Sequence, residues 1–341
     1  MSDIHIRITG RAGRITLQRP QALNAMTYEM CLAIEAAIDD WRGNDAVALV
    51  VIDAEGDRAF CSGGDIADLY AQGRNGNFAY GAKFWADEYR LNHKIHSYPK
   101  PFVSFLQGFT MGGGVGIGCH GSHRIVGETS QIAMPECGIG LVPDVGGSLL
   151  LARAPGFSGT YLGTTTARMN AADAIYVGFA DGFIPEVKWP DLLQHIEASG
   201  DVAIIQDHLE QPPSGRLCTL SSEIDAHFAV SNIHDIKASL TADPAPFATE
   251  ALKKLSRVSP LSAAYTVEML NRLRAPGVTM TDALELEYRF TSRASEHGDF
   301  LEGIRAAIID KDRNPKWQHA QSDVPQSAID AMFEPTTRLT L

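Results

Sequence analysis

Ile4, Ile6 and Ile8 alternate with polar residues near the start of the chain. A period of two predicts a strand with one covered face. Gly10 to Gly13 then predicts a turn and Arg14 to Leu17 a second strand, so the opening reads as a β-hairpin. The period changes after Thr27, which suits a helix N-cap: Met30, Ile34, Ala37, Ile38 and Trp41 recur at helical spacing. Ala46 to Asp53 is a continuous apolar run, the mark of a strand covered on both faces. Phe102 to Leu106 is a second buried strand. Between them, Phe60 to Asp65 predicts a glycine turn, Ile66 to Tyr70 the start of a helix, and Phe84 to His96 a full one. Short strands at Arg124–Val126 and Gln131–Ala133 come next, then a helix over Asp144–Ala152. Alternating strands and helices predict a layered α/β core.

The texture changes after residue 170. Ala171–Val177, Trp189–Ile196, Ile224–Phe228, Phe247–Leu255, Leu261–Leu273, Ala283–Arg293 and Leu301–Ile309 all carry helical spacing. Pro212 to Gly215 and Asp243 to Pro246 punctuate them. The expected organisation is an α/β core over residues 1–190 and a mainly helical region over 191–341.

Composition adjusts this picture in three places. Apolar residues make up 45% of the chain and charged ones 21%, a globular balance that excludes disorder. The formal charge is −12 with no block of Lys or Arg, which argues against a nucleic-acid partner. An anionic ligand therefore has to be held by backbone N–H groups or single cations. The five cysteines are odd in number and widely spaced without C-x-x-C, so small buried thiols in a reducing compartment are expected. No apolar run reaches the length of a membrane span, and the alternating start lacks the apolar core of a signal peptide. A cytoplasmic location and no membrane partner are expected.

Three segments carry candidate chemistry. In Phe60-Cys-Ser-Gly-Gly-Asp-Ile66, the glycines let the backbone approach a ligand and turn its N–H groups outward. A plain strand-to-helix turn has the same composition. Met111-Gly-Gly-Gly-Val-Gly-Ile-Gly118 opens a helix, whose first turn offers free N–H groups and a positive dipole end. Consecutive glycines there are costly unless something must come close, whether a ligand or a packed sheet. The third segment runs from Met134 to Gly147 and sets two carboxylates, Glu136 and Asp144, in a Gly/Pro-rich, otherwise apolar loop. Carboxylates in such surroundings suit acid–base or nucleophilic work. Asp144 also fits the bland role of capping the helix it precedes.

Gly116, Gly118 and Gly121 match G-x-G-x-x-G, and Glu136 lies twenty residues past Gly116. A dinucleotide site should leave its strand at the first glycine, yet Gly116 is ten residues beyond Leu106, and no completed βαβ unit follows. His93 and His96, and His120 and His123, lack a zinc-ligand pattern, so no metal is expected. No G-x-S-x-G elbow occurs.

Together the three segments resemble the crotonase (enoyl-CoA hydratase/isomerase) superfamily. The resemblance runs from Arg19-Pro-Gln-Ala-Leu-Asn-Ala25 to about Pro155. It returns in Asp299-Phe-Leu-Glu-Gly-Ile-Arg-Ala and Asp310-Lys-Asp-Arg-Asn-Pro-Lys-Trp317. It implies a crotonase-like spiral of ββα units with a helical C-terminal region. It also implies that the backbone N–H groups of Gly64 and Gly113 form an oxyanion hole for a thioester. Leu23, Ala25, Ser62, Asp65 and Ile66 match the segments that line the coenzyme A groove. Glu88, Gly113, Glu136 and Asp144 match positions that contact substrate. Gly140-Leu-Val-Pro-Asp-Val-Gly-Gly147 and Ala133-Met-Pro-Glu136 are most similar to the branch that hydrolyses 3-hydroxyisobutyryl-CoA in valine breakdown. Hydratases of the superfamily carry a second glutamate three residues after the oxyanion-hole glycine. That position here is Gly116.

The resemblance thus implies hydrolysis of a short β-hydroxyacyl-CoA, with Glu136 and Asp144 catalytic and coenzyme A entering only as part of the substrate. A homo-oligomer is one expected assembly. Two alternatives stay open: a hydratase or double-bond isomerase, which releases no thiol, and a non-catalytic CoA-binding scaffold, which would not respond to Glu136→Gln.

Overall fold

The computed structural model describes residues 3–321 and 323–341. Met1, Ser2 and Ser322, three positions of the expected 1–190 and 191–341 regions, lie outside the described residues.

The predicted hairpin forms, with β1 (Ile4–Thr9) antiparallel to β2 (Ala12–Leu17). The strands that follow are β3 (Leu49–Ala54), β4 (Ala59–Cys61), β5 (Phe102–Phe105), β6 (Phe109–Met111), β7 (His123–Val126), β8 (Gln131–Ala133) and β9 (Gly182–Phe183). They divide by alternation. A six-stranded sheet has the order β1-β2-β3-β5-β7-β9, and a three-stranded sheet the order β4-β6-β8. From β2 onward every pairing between neighbouring strands is parallel. Each turn of the chain lays one strand in the large sheet and the next in the small one, the ββα spiral that the resemblance implies.

Helices close the spiral: α1 (Tyr28–Arg42), α2 (Ala67–Arg74), α3 (Phe78–His96), α4 (Gly113–Gly118), α5 (Gly147–Arg153), α6 (Ser158–Thr165) and α7 (Ala171–Tyr176). The helical region holds α8 (Trp189–Ser199), α9 (Ser221–Phe228), α10 (Ile233–Ala242), α11 (Pro246–Leu255), α12 (Pro260–Leu273), α13 (Met280–His297), α14 (Phe300–Ile304) and α15 (Gln326–Phe333). Thr27 caps α1 as predicted, its side chain accepting from Met30 N–H at 3.2 Å.

The run over β3 is buried on both faces for the reason its composition suggested. Val50 and Ile52 face the main core, while Leu49 and Val51 pack with Trp189, Leu192 and Ile196 of α8. The main core continues into the helical region without a break, from Ile15 to Phe333. Among the described residues no helix is long and apolar enough to cross a membrane.

Several expectations need correction. Phe60 and Cys61 belong to β4 rather than to the glycine turn, and Met111, the first residue of the second candidate segment, ends strand β6. Both strands have only three residues, too few to show a period. Helices α6 and α10, and α15 near the chain end, were not expected from spacing. The predicted Leu301–Ile309 helix is α14 followed by a π-helical turn over Arg305–Ile309. Cys218 is exposed, and only the other four cysteines are buried.

Candidate active site

Strands that run parallel and side by side present their C-terminal ends at one edge, where ligands of α/β proteins bind. The small sheet β4-β6-β8 does this with the three segments singled out in the sequence. Ser62-Gly63-Gly64 leaves β4, Gly112-Gly113 leaves β6, and Pro135-Glu136 leaves β8. All line one cavity of about 340 Å³, together with Ala25, Asp65, Ile66, Glu88 and Asp144. Of the residues assigned to the site, Leu23 alone is not in that wall. Its carbonyl accepts from Ser62 N–H at 3.0 Å, tying the Arg19–Ala25 loop to the β4 turn. Asn24 fixes that loop by donating to the Glu55 and Ala59 carbonyls at 2.9 and 2.8 Å. Arg19 reaches across it to Asp65 at 3.1 Å.

The two glycine turns abut. A Cβ built on Gly113 would lie 3.2 Å from Gly64 N and 2.8 Å from Glu88 Oε1, so only glycine leaves this point open. Gly112 has φ +50°, and a Cβ there would meet Glu136 Oε1 at 2.9 Å. Gly113 is the first residue of α4, so its N–H has no acceptor within the helix. The Gly64 N–H donates to no backbone acceptor among the described residues. Among the described residues neither amide has a backbone acceptor, and two acids lie against these turns, Glu88 at Gly113 and Glu136 at Gly112.

Four carboxyls crowd this region: Glu88, Glu136, Asp144 and Glu287, each at most 4% exposed. No Arg or Lys lines the cavity. Burial, reinforced by neighbouring carboxylates, holds Glu88 and Glu136 well above the usual carboxylate range. Burial pushes Asp144 up to about 7, against the hydrogen bond from Tyr89 that favours its charged form. Glu88 Oε1 and Glu136 Oε2 have no hydrogen-bond partner among the described residues. Unpartnered buried acid oxygens are costly, and active sites are where such cost is retained.

Asp144 does not cap α5, whose N-cap is Gly146. Its side chain instead accepts from the Tyr89 hydroxyl at 2.8 Å, and Tyr89 lies 3.2 Å from Thr291 Oγ1 on α13. The turn after Asp144 is held from behind. Val145 has φ +54°, rare for a β-branched residue, and its carbonyl is 2.8 Å from His120 Nε2. Burial lowers His120 to about 3, so the ring is neutral and donates here through Nε2–H. Glu287 accepts from Gly146 N–H at 2.9 Å and from Ser148 N–H at 3.3 Å, and also from the Ser148 hydroxyl. Burial, with the nearby Asp144 charge, raises Glu287 to about 8.

Tyr89 and Glu287 carry no motif in the sequence, and His120 drew notice there only as a candidate metal ligand. Glu287 had a signal: it occupies the buried stripe of α13 with Met280, Ala283, Leu284, Thr291 and Ala294. A glutamate on a core stripe has to have a partner. Gly116 fits the missing side chain there: a Cβ would meet Asn92 Nδ2 at 2.6 Å and Val145 Cβ at 2.9 Å. The space beside Gly116 is filled.

A family model described as Enoyl-CoA hydratase/isomerase matches residues 12–333. A Danio rerio protein named 3-hydroxyisobutyryl-CoA hydrolase, mitochondrial, is 34% identical over 344 residues, covering 97% of this chain and 89% of its own. The Xenopus tropicalis protein of the same name is 36% identical, covering 95% of this chain and 86% of its own. Among solved structures, an enoyl-CoA hydratase from Rhodobacter sphaeroides superposes with a TM-score of 0.96 at 56% identity, covering all of both chains.

Proposed function

The chain belongs to the enoyl-CoA hydratase/isomerase family, and from that premise we propose that it hydrolyses the thioester of a short β-hydroxyacyl-CoA. The substrate to test first is 3-hydroxyisobutyryl-CoA, of valine breakdown. One observation carries the reading: Gly64 and Gly113, whose amides have no backbone acceptor among the described residues, line a single cavity with buried Glu136. In this reading the Gly64 and Gly113 N–H groups hold the thioester oxygen and stabilise the negative charge that develops on it. Glu136 takes the proton of an attacking water, or attacks the carbonyl itself to give an anhydride that water then opens. Either way the C–S bond breaks and the thiolate leaves, acquiring a proton. Asp144, braced by Tyr89, orients the β-hydroxyl. Trp85, Leu141, Val145 and Phe300 bound the acyl end, which favours a short chain.

The Rhodobacter sphaeroides structure's name favours a second reading, addition of water to a double bond. Gly116 weighs against it, because the second acid of that chemistry has no room. Thiol release separates the two. With a panel of acyl-CoA thioesters, the hydrolase reading predicts one free thiol per acyl group cleaved, fastest for short β-hydroxyacyl chains. Hydration of an enoyl-CoA without any thiol release would overturn it.

The pH profile follows from the buried acids. The reactive form of Glu136 is the carboxylate, and burial and its acidic neighbours hold its proton on. Activity therefore grows as pH rises and is lost as pH falls. Below the apparent pKa of the Glu136–Asp144 pair, kcat/KM should fall about tenfold per pH unit. An ordinary solvated glutamate would instead give a flat profile between about pH 6 and 8.

A further inference from the structure

The catalytic cavity contains no cation, yet this is an acidic chain with few positive charges to spare. A second concavity lies against the outer side of the Glu136 turn and shares Pro135 and Ile139 with the first. Arg305–Ile309 and α14 separate the two: Phe300 and Ile308 face the catalytic cavity, while Gly303, Ala306 and Ala307 face the groove. The groove encloses about 1280 Å³, and its walls carry Arg168, Arg216, Lys254, Arg257 and Arg313 without one Asp or Glu. Five cations and no acid is the reverse of the chain's own balance of 29 basic to 41 acidic residues.

Two of these cations are neutralised nearby, Lys254 by Glu250 at 3.0 Å and Arg216 by the same carboxylate at 4.0 Å. Arg168, Arg257 and Arg313 form no ion pair with any described residue. Arg168 is nonetheless placed, its guanidinium 5.0 Å from the centre of the Phe109 ring. Arg313 is held at φ +53° by its N–H bond to the Ala306 carbonyl at 3.0 Å. Guanidinium groups that line one groove without an acidic partner match phosphate oxygens in both charge and hydrogen-bonding geometry. Half-buried Trp317 adds an aromatic face to the same wall, and aromatic side chains stack on bases.

We propose that this groove binds the phosphate groups of a nucleotide, held by Arg168, Arg257 and Arg313. Two sources share that chemistry: the nucleotide end of the thioester substrate, and a free nucleotide acting from outside the catalytic cavity. Only the first source rests on the thioester reading given above.

The probe is adenosine 3′,5′-bisphosphate, titrated calorimetrically into the full-length protein. Saturable binding is expected. Arg257→Ala and Arg313→Ala, both at exposed side chains, should each weaken it about tenfold, as loss of one charge-assisted contact would. The double variant should weaken it further. Raising salt from about 50 to 500 mM should also weaken binding. Absence of saturable binding, or a double variant that binds as tightly as the unmodified protein with an unchanged melting temperature, overturns the proposal. Inhibition kinetics identify the source. A probe that raises KM for the acyl-CoA and leaves kcat alone marks the substrate's own nucleotide end; a probe that binds without competing marks a separate nucleotide. Probe binding needs no turnover, so it stands or falls apart from thiol release.

Discussion

Glu136→Gln should lower kcat by roughly 10²–10⁴-fold, the usual worth of a positioned general base, and leave acyl-CoA binding largely intact. Gln keeps the size of the side chain and its place beside Gly112, where Glu136 Oε1 sits 2.9 Å from the position a Cβ would take. It cannot accept a proton or attack a carbonyl. The residue is 4% exposed, and burial already favours its neutral form. The substitution therefore removes a group that is costly to ionise, and folded stability should hold or rise. Single-turnover thiol release and a melting curve check the two halves. A variant with near-normal turnover would mean that Glu136 shapes the cavity and does no chemistry.

Gly113→Pro and Gly113→Ala should separate an amide from the space around it. Position 113 is the first of α4, where proline is accepted because its missing N–H has no intrahelical acceptor. Both substitutions add a Cβ that presses on Glu88 Oε1 at 2.8 Å. Only proline also deletes the donor, its ring Cδ standing where the N–H pointed. Proline should therefore lose a further 10²–10³-fold or so in kcat beyond alanine, the cost of one oxyanion donor. Equal losses in the two variants, with circular dichroism unchanged, would assign the whole effect to crowding.

Most of this site was legible because it is written in local signals. Glycines mark the β4 and β6 turns, and acids in an apolar loop mark Glu136 and Asp144. Their meeting was less legible. It depends on the pairing of β4, β6 and β8, strands of three residues that carry no readable period. Only the resemblance to other chains brought them together in advance. The support behind Asp144 was not legible at all. Tyr89 and Glu287 are separated from it by 55 and about 140 residues of chain, and reach it because α13 packs along α3. Sequence spacing cannot report such contacts. The capping role considered for Asp144 failed for a related reason: a left-handed Gly146 starts α5 two residues later, which frees the carboxylate for Tyr89.

The stretching frequency of the thioester carbonyl gives the most direct view of the two amides. Bound to the slow Glu136→Gln protein, a β-hydroxyacyl-CoA labelled with ¹³C at that carbon can be followed by difference infrared spectroscopy. Donation from Gly64 and Gly113 predicts a band well below its position in water, moving back toward it when Gly113→Pro is added. A bound carbonyl that vibrates as it does free in solution would contradict the account.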